Sequence, residues 1–123
     1  MPWKHFIAIH IHFGNTTRTL SADIYRVMQA VKDFGFRDQL TRAGLSVPSN
    51  IAEGFERESN RELVNFLSYA KGSCGELRTQ IYMGMEIGYI ERATGKHWIE
   101  ESMAISAMLA GLIKTKRAHI AEE

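Results

Sequence analysis

Imidazole suits zinc, nickel or copper, so the first residues with metal chemistry in reach are His5, His10 and His12. On an extended segment His10 and His12 face the same way, but no Cys, Asp or Glu stands beside them to complete a shell. A packed or solvated cluster is the expectation, and His97 and His119 are isolated. Nucleophilic catalysis needs a Ser or Cys with a base beside it and donors for an oxyanion. Cys74 falls on an apolar helical stripe, where a small buried residue is expected, and Ser46 and Ser49 have no His or Asp at a triad-like spacing. Glu53, Glu56, Glu58 and Glu62 alternate with Arg57 and Arg61, as the solvated junction between two helices does. These readings predict no enzyme, no cofactor, no metal and no small-molecule substrate. A hydrolase built on Glu53 or a bound metal is the reading to test against.

Cations carry the remaining chemistry. Arg57, Arg61, Lys71 and Arg78 flank the middle of the chain, and Lys114, Lys116 and Arg117 cluster near its end. Several cations on one face would neutralise phosphates, and symmetry would multiply a modest patch. The competing reading is that basic residues in a last helical turn complement the helix dipole.

The elements that must position these residues follow from the pattern of the chain. At 123 residues, with 45% apolar and 24% charged residues, it falls within the size of one soluble domain. A formal charge of +1 gives no whole-chain footprint for nucleic acid or membrane, so any basic surface must be local. The single cysteine excludes an intramolecular disulfide and fits a reducing compartment, with cytoplasm the simplest expectation. The apolar run from Met103 to Ile113 is interrupted by Ser106 and is well short of the roughly 20 residues of a membrane span. The N-terminal apolar run is a poor signal peptide, and no processing is expected.

Residues 5–13 alternate like a strand, but nothing later offers a partner, so residues 1–14 are expected to form an extended arm or an early helical turn. From Thr16 to Phe34, Leu20, Ile24, Val27, Val31 and Phe34 recur at helical spacing, with Gly35 placed to cap. A second helix reads from Arg37 to Phe55 through Leu40, Ala43, Val47 and Ile51, with Pro48 in its middle. That proline frees the Gly44 carbonyl, and Ser46, Ser49 or Asn50 are placed to bond it or to reach a neighbouring helix. Asn50 and Glu53 are alternatively placed for a register-fixing network. Ser59 to Glu62 is a capping box opening a third helix. Its stripe runs Leu63, Leu67, Ala70, Cys74, Leu77, Ile81, Gly84 and Gly88, widened by Phe66 and Met85. Gly72, Gly75 and Gly84 suggest close approach of a partner helix. A fourth helix carries Trp98, Met103, Ile105, Leu109, Leu112, Ile113 and Ile120. The expected fold is all-α: an up-down four-helix bundle over residues 15–123 with a proline-kinked second helix.

The block from Asp38 through Pro48, Ser49, Asn50, Glu53 and Gly54, followed by Arg57, Ser59 and Glu62, resembles the signature of the four-helix-bundle proteins encoded in 23S rRNA intervening sequences. Phe66 to Ser73, with Glu76, Leu77, Thr79, Gln80 and Gly88 to Ile90, is similar to the same family in the same order. The resemblance implies a bacterial bundle that assembles into a homopentameric ring, in a family whose biochemical role is not established. A distant relative of the fold, the accessory protein of diversity-generating retroelements, binds nucleic acid and a reverse transcriptase. By analogy that implies an RNA or RNA-associated protein partner here. The chain departs from the family pattern at its N-terminal segment, at Arg78, where an acid is common, and at Gly44, where alanine is common.

The function expected is a non-enzymatic, self-associating scaffold that binds RNA or a ribonucleoprotein. Leu63, Phe66, Leu67, Ala70, Cys74 and Leu77 are assigned to helix or subunit packing. The alternative is a monomeric module that docks one protein through its N-terminal arm, by strand addition, or through a helix surface.

Overall fold

A computed structural model describes the backbone from Pro2 to Glu123 and the side chains from Asn15 onward. The chain forms α1 (Pro2–Met28), α2 (Phe34–Phe55), α3 (Asn60–Glu86) and α4 (Arg92–Glu122). Successive helices run antiparallel, as the cross-helix bonds require: Ser21 reaches Gly44, Ser46 meets Ser73, and Asn60 at the start of α3 bonds Glu123 at the end of α4. α3 packs extensively on both α2 and α4, whereas the α1/α4 seam is thin. The molecule is an up-down four-helix bundle.

Each boundary has a local cause. Asp33 caps α2 by accepting from the Phe36 backbone N–H at 3.2 Å, so α1 stops at Met28 and Gly35 lies inside the first turn of α2 rather than capping α1. The other Asp33 carboxylate oxygen accepts from the Tyr89 hydroxyl at 3.0 Å, which ties the α1–α2 turn to the α3–α4 turn and raises the Tyr89 pKa. Ser59 caps α3, its hydroxyl accepting from the Glu62 N–H at 3.2 Å and donating to the Glu62 carboxylate at 3.2 Å. The carboxylate thus closes the cap on the serine hydroxyl and not on the serine backbone. α3 ends in a Schellman turn: Tyr89 N–H bonds the Gly84 carbonyl at 2.8 Å, Gly88 N–H bonds Met85 at 3.2 Å, and Gly88 supplies the required φ of +82°. Gly88 therefore caps the helix instead of continuing its stripe.

Pro48 sits inside one uninterrupted α2. The carbonyl it leaves without a helical donor is Gly44's, and the Ser21 hydroxyl of α1 donates to it at 2.6 Å. The repair comes from across the bundle, not from the residues beside the proline. Ser46 reaches α3 at Ser73, 2.9 Å away, Asn50 bonds back to the Ser46 carbonyl and hydroxyl, and Ser49 is exposed.

The core is built from Leu20, Ile24 and Met28 of α1, Leu40, Ala43, Val47 and Ile51 of α2, the Leu63–Ile81 stripe of α3, and Trp98, Ile105, Leu109 and Ile113 of α4. Trp98 is fully buried, worth roughly 1.5–3 kcal/mol by area, and its indole N–H donates to Asp23 at 2.7 Å. Several sequence expectations are corrected. Val27 and Phe34 are exposed because Met28 takes the inward position on α1 and Phe34 begins the next helix; Met103 is exposed because Ile99 and Ser102 turn inward on α4. Residues 5–13 are helical backbone within α1, which matches the helical alternative for this segment and not the extended arm. Of the glycines read as close-approach positions, Gly84 meets Ile90 and Phe36, whereas a Cβ on Gly72 would meet nothing within 4 Å and one on Gly75 only Arg78 of its own helix.

Candidate functional site

The chemistry-bearing residues divide sharply once placed. Lys71 and Arg78 of α3 and Lys114 and Arg117 of α4 line one cleft of about 590 Å³ along the α3/α4 seam. The helical period explains the convergence: Lys71 and Arg78 are two turns apart on one face, and Lys114 and Arg117 are one turn apart on the antiparallel neighbour. Ser68, Gly72, Ser106, Ala110 and Ile113 complete the lining, and among the described residues no carboxylate is part of it. Four cations share this concavity on a chain whose formal charge is +1.

Arg78 is the anchored member. Its Nη1 donates to the Ser106 hydroxyl at 2.9 Å and to the Ser102 carbonyl at 3.3 Å, holding a half-buried guanidinium across the seam. A guanidinium has five donors in a fixed fork, so these bonds orient it and leave donors for an anion. The Ser106 hydroxyl also bonds the Cys74 thiol, and Arg78 acts on that thiol by its charge. Burial dominates over both, so the Cys74 pKa lies above its ordinary value of 9.0 and the thiol is an inert core group. Ser106 went unassigned in the sequence reading, although its interruption of the Met103–Ile113 apolar run was the available signal.

The other basic residues go elsewhere. Arg57 pairs with Glu53 one turn earlier and stacks over the Phe66 ring, 4.9 Å from its centroid. Arg61 is exposed at the start of α3, outside the cleft lining. Lys116 is half-buried one residue away from the cleft face, and burial lowers its pKa below 10.5. Leu63, Leu67, Ala70, Cys74 and Leu77 are buried within the chain's own bundle, with Phe66 half-buried beside Tyr69.

Of the motif residues, Pro48, Asn50, Gly54, Ser59 and Glu62 have structural placements. Gly54 lets α2 cross α3 closely, since a Cβ there would lie 3.0 Å from Leu63 and Phe66 side-chain atoms. Among the described residues no group of three His, Cys, Asp or Glu is placed to hold a metal, and no helix is long and apolar enough to cross a membrane. The side chains of His5, His10 and His12 lie outside the described residues.

Comparison with curated proteins finds no match. Among solved structures, a Bacteroides thetaiotaomicron protein of unknown function from the S23 ribosomal protein family superposes with a TM-score of 0.80, covering 86% of this chain and 98% of that one at 19% identity. At that identity the likeness speaks for the fold, which it shares. Residues 12–111 match the family described as the 23S rRNA-intervening sequence protein, and a match over that span makes the chain a member of this family.

Proposed function

We propose that the protein is a non-enzymatic scaffold that self-associates and binds RNA, or an RNA-containing particle, by its phosphate backbone along the α3/α4 cleft. The observation that carries the reading is the convergence of Lys71, Arg78, Lys114 and Arg117 without a carboxylate among them. Phosphate contact is a job for cations and hydroxyls on one face, and base stacking is not expected of a cleft with no aromatic ring among the described residues of its lining. Self-association supplies what one cleft lacks, because repeated copies multiply a four-cation patch. The exposed Tyr69, Tyr82 and Met83 on α3 support a subunit contact on that helix, as in the homopentamer that the family resemblance implies.

The test is a mobility-shift titration of an RNA hairpin across a salt series, alongside native mass spectrometry. Each phosphate neutralised contributes a slope of about −0.7 to −0.9 in log affinity against log salt, so four contacts per protomer give about −3 to −4. Lys114→Ala should flatten the slope by about one such increment and weaken unrelated hairpins equally. Absence of binding at low salt, or a salt-independent affinity, refutes phosphate contact. A monomer at micromolar concentration refutes the scaffold.

A further inference from the structure

The opposite side of the bundle carries a second concavity that the basic cleft does not explain. Between α1 and α2 lies a groove of about 750 Å³, the larger of the two. Its floor is apolar: Tyr25 and Leu45, 59% and 60% exposed, flank Ala22 and Pro48. A leucine and a tyrosine left this open beside each other are informative, because scattered single apolar residues need no explanation and a lined groove does.

Both walls are rimmed by arginine. Arg18 and Arg26 stand on the α1 side and Arg42 on the α2 side, against one carboxylate among the described residues, Asp38. Arg18 donates to Asn15, and Arg26 has a loose, exposed contact with Asp23 at 3.7 Å, a kind of pair that holds a side chain weakly. The α1 wall from Arg18 to Arg26 spans about 12 Å at 1.5 Å per residue, a little over two helical turns.

From these features we infer that the α1/α2 groove docks an acidic amphipathic helix of a partner protein. An apolar floor between two helices takes anchors at i, i+3 or i+4, and i+7 of a third helix, and acidic residues on both flanks of that helix then meet arginines on both walls. A nucleic-acid strand fits this groove less well. With one aromatic ring among the described residues of the lining, these offer successive bases no stacking platform.

The test uses two fluorescein-labelled synthetic helices of about 15 residues, long enough to retain helicity. Both carry leucines at i, i+3, i+4 and i+7; one is flanked by glutamates and the other by lysines. Fluorescence anisotropy should show the glutamate helix binding at least about tenfold tighter than the lysine helix, with affinity falling as salt rises. Leu45→Glu should weaken it by at least about tenfold while leaving the circular dichroism spectrum and RNA affinity unchanged, since that side chain lies outside the core and the basic cleft. Arg42→Glu should shift preference toward the lysine helix, which keeps the test decisive if Leu45→Glu misfolds. Equal binding of both helices, or indifference to both substitutions, overturns the inference. Loss of the chain's own assembly on Leu45→Glu also overturns it, and makes the groove a contact between copies.

Discussion

The bond from Ser21 to the Gly44 carbonyl makes a prediction that can be worked through. Pro48 deprives that carbonyl of its helical donor, and the 2.6 Å bond from α1 replaces it at a part-buried position. Ser21→Ala removes the replacement and leaves a part-buried acceptor unmatched, a cost of about 1 kcal/mol. In a chain of 123 residues that corresponds to a fall in Tm of roughly 3–5 °C per kcal/mol, between the values for smaller and larger domains. The reasoning is isolated by a double-mutant cycle with Pro48→Ala. Alanine restores an N–H four residues after Gly44, so in that background Ser21→Ala should cost less than about 0.5 kcal/mol. The coupling expected is about 0.5 kcal/mol or more. Urea unfolding monitored by circular dichroism, at one fixed protein concentration because the proposed self-association would shift apparent stability, measures all four corners. If Ser21→Ala costs the same with and without Pro48, the serine is not compensating for the proline.

Other predictions test the same frame. Trp98→Phe deletes the donor to Asp23 and should cost about 2 kcal/mol, read as a lower urea midpoint at unchanged m value, whereas Asp23→Asn keeps an acceptor and should cost less. Gly88→Ala should lower stability by about 1–2 kcal/mol through backbone strain alone, because a Cβ there meets nothing within 4 Å; Gly88→Asn should recover part of the loss in the same thermal melt. Burial raises the Cys74 pKa, so the unfolded chain loses that proton first as pH climbs past about 9.0. The stability contributed is complete below that pH and is lost as pH rises through the folded-state pKa, and Cys74→Ala should flatten this alkaline fall in a pH series of unfolding curves.

Much of the bundle was legible because its strongest signals are local or periodic. Leu63, Leu67, Ala70, Cys74, Leu77, Ile81 and Gly84 form a stripe in the sequence and a buried face in the molecule, and Ser59 with Glu62 caps as their spacing requires. The first helix shows the limit of periodicity. Val27 and Met28 are both apolar and both fit the 3–4 spacing after Ile24, and only the packing of α1 against its neighbours turns Met28 inward and leaves Val27 exposed. Strand-like alternation over residues 5–13 was likewise a pattern without a partner, and the backbone there is helical. The basic residues were recognisable by type but not by destination. Lys71 and Arg78 share a face by spacing, yet their meeting with Lys114 and Arg117 depends on the antiparallel register of α3 and α4. The Trp98–Asp23 bond, 75 residues apart in sequence, is tertiary in origin.

Charge placement links the candidate cleft to self-association by a physical argument. A chain of formal charge +1 has almost no far field with which to draw in a polyanion, and at physiological salt potentials decay within about 8 Å. The carboxylates that offset the cleft cations lie on other faces, Glu53, Glu56, Glu58 and Glu62 among them at the α2–α3 junction. An anion therefore senses the cleft only at near contact, and a single protomer offers few such contacts. Steep salt dependence and useful affinity require several clefts presented together. If the proposed assembly and RNA binding hold, substitutions that break the assembly should weaken RNA binding even where every cleft residue is intact, and the slope in salt should fall toward the value of a lone protomer.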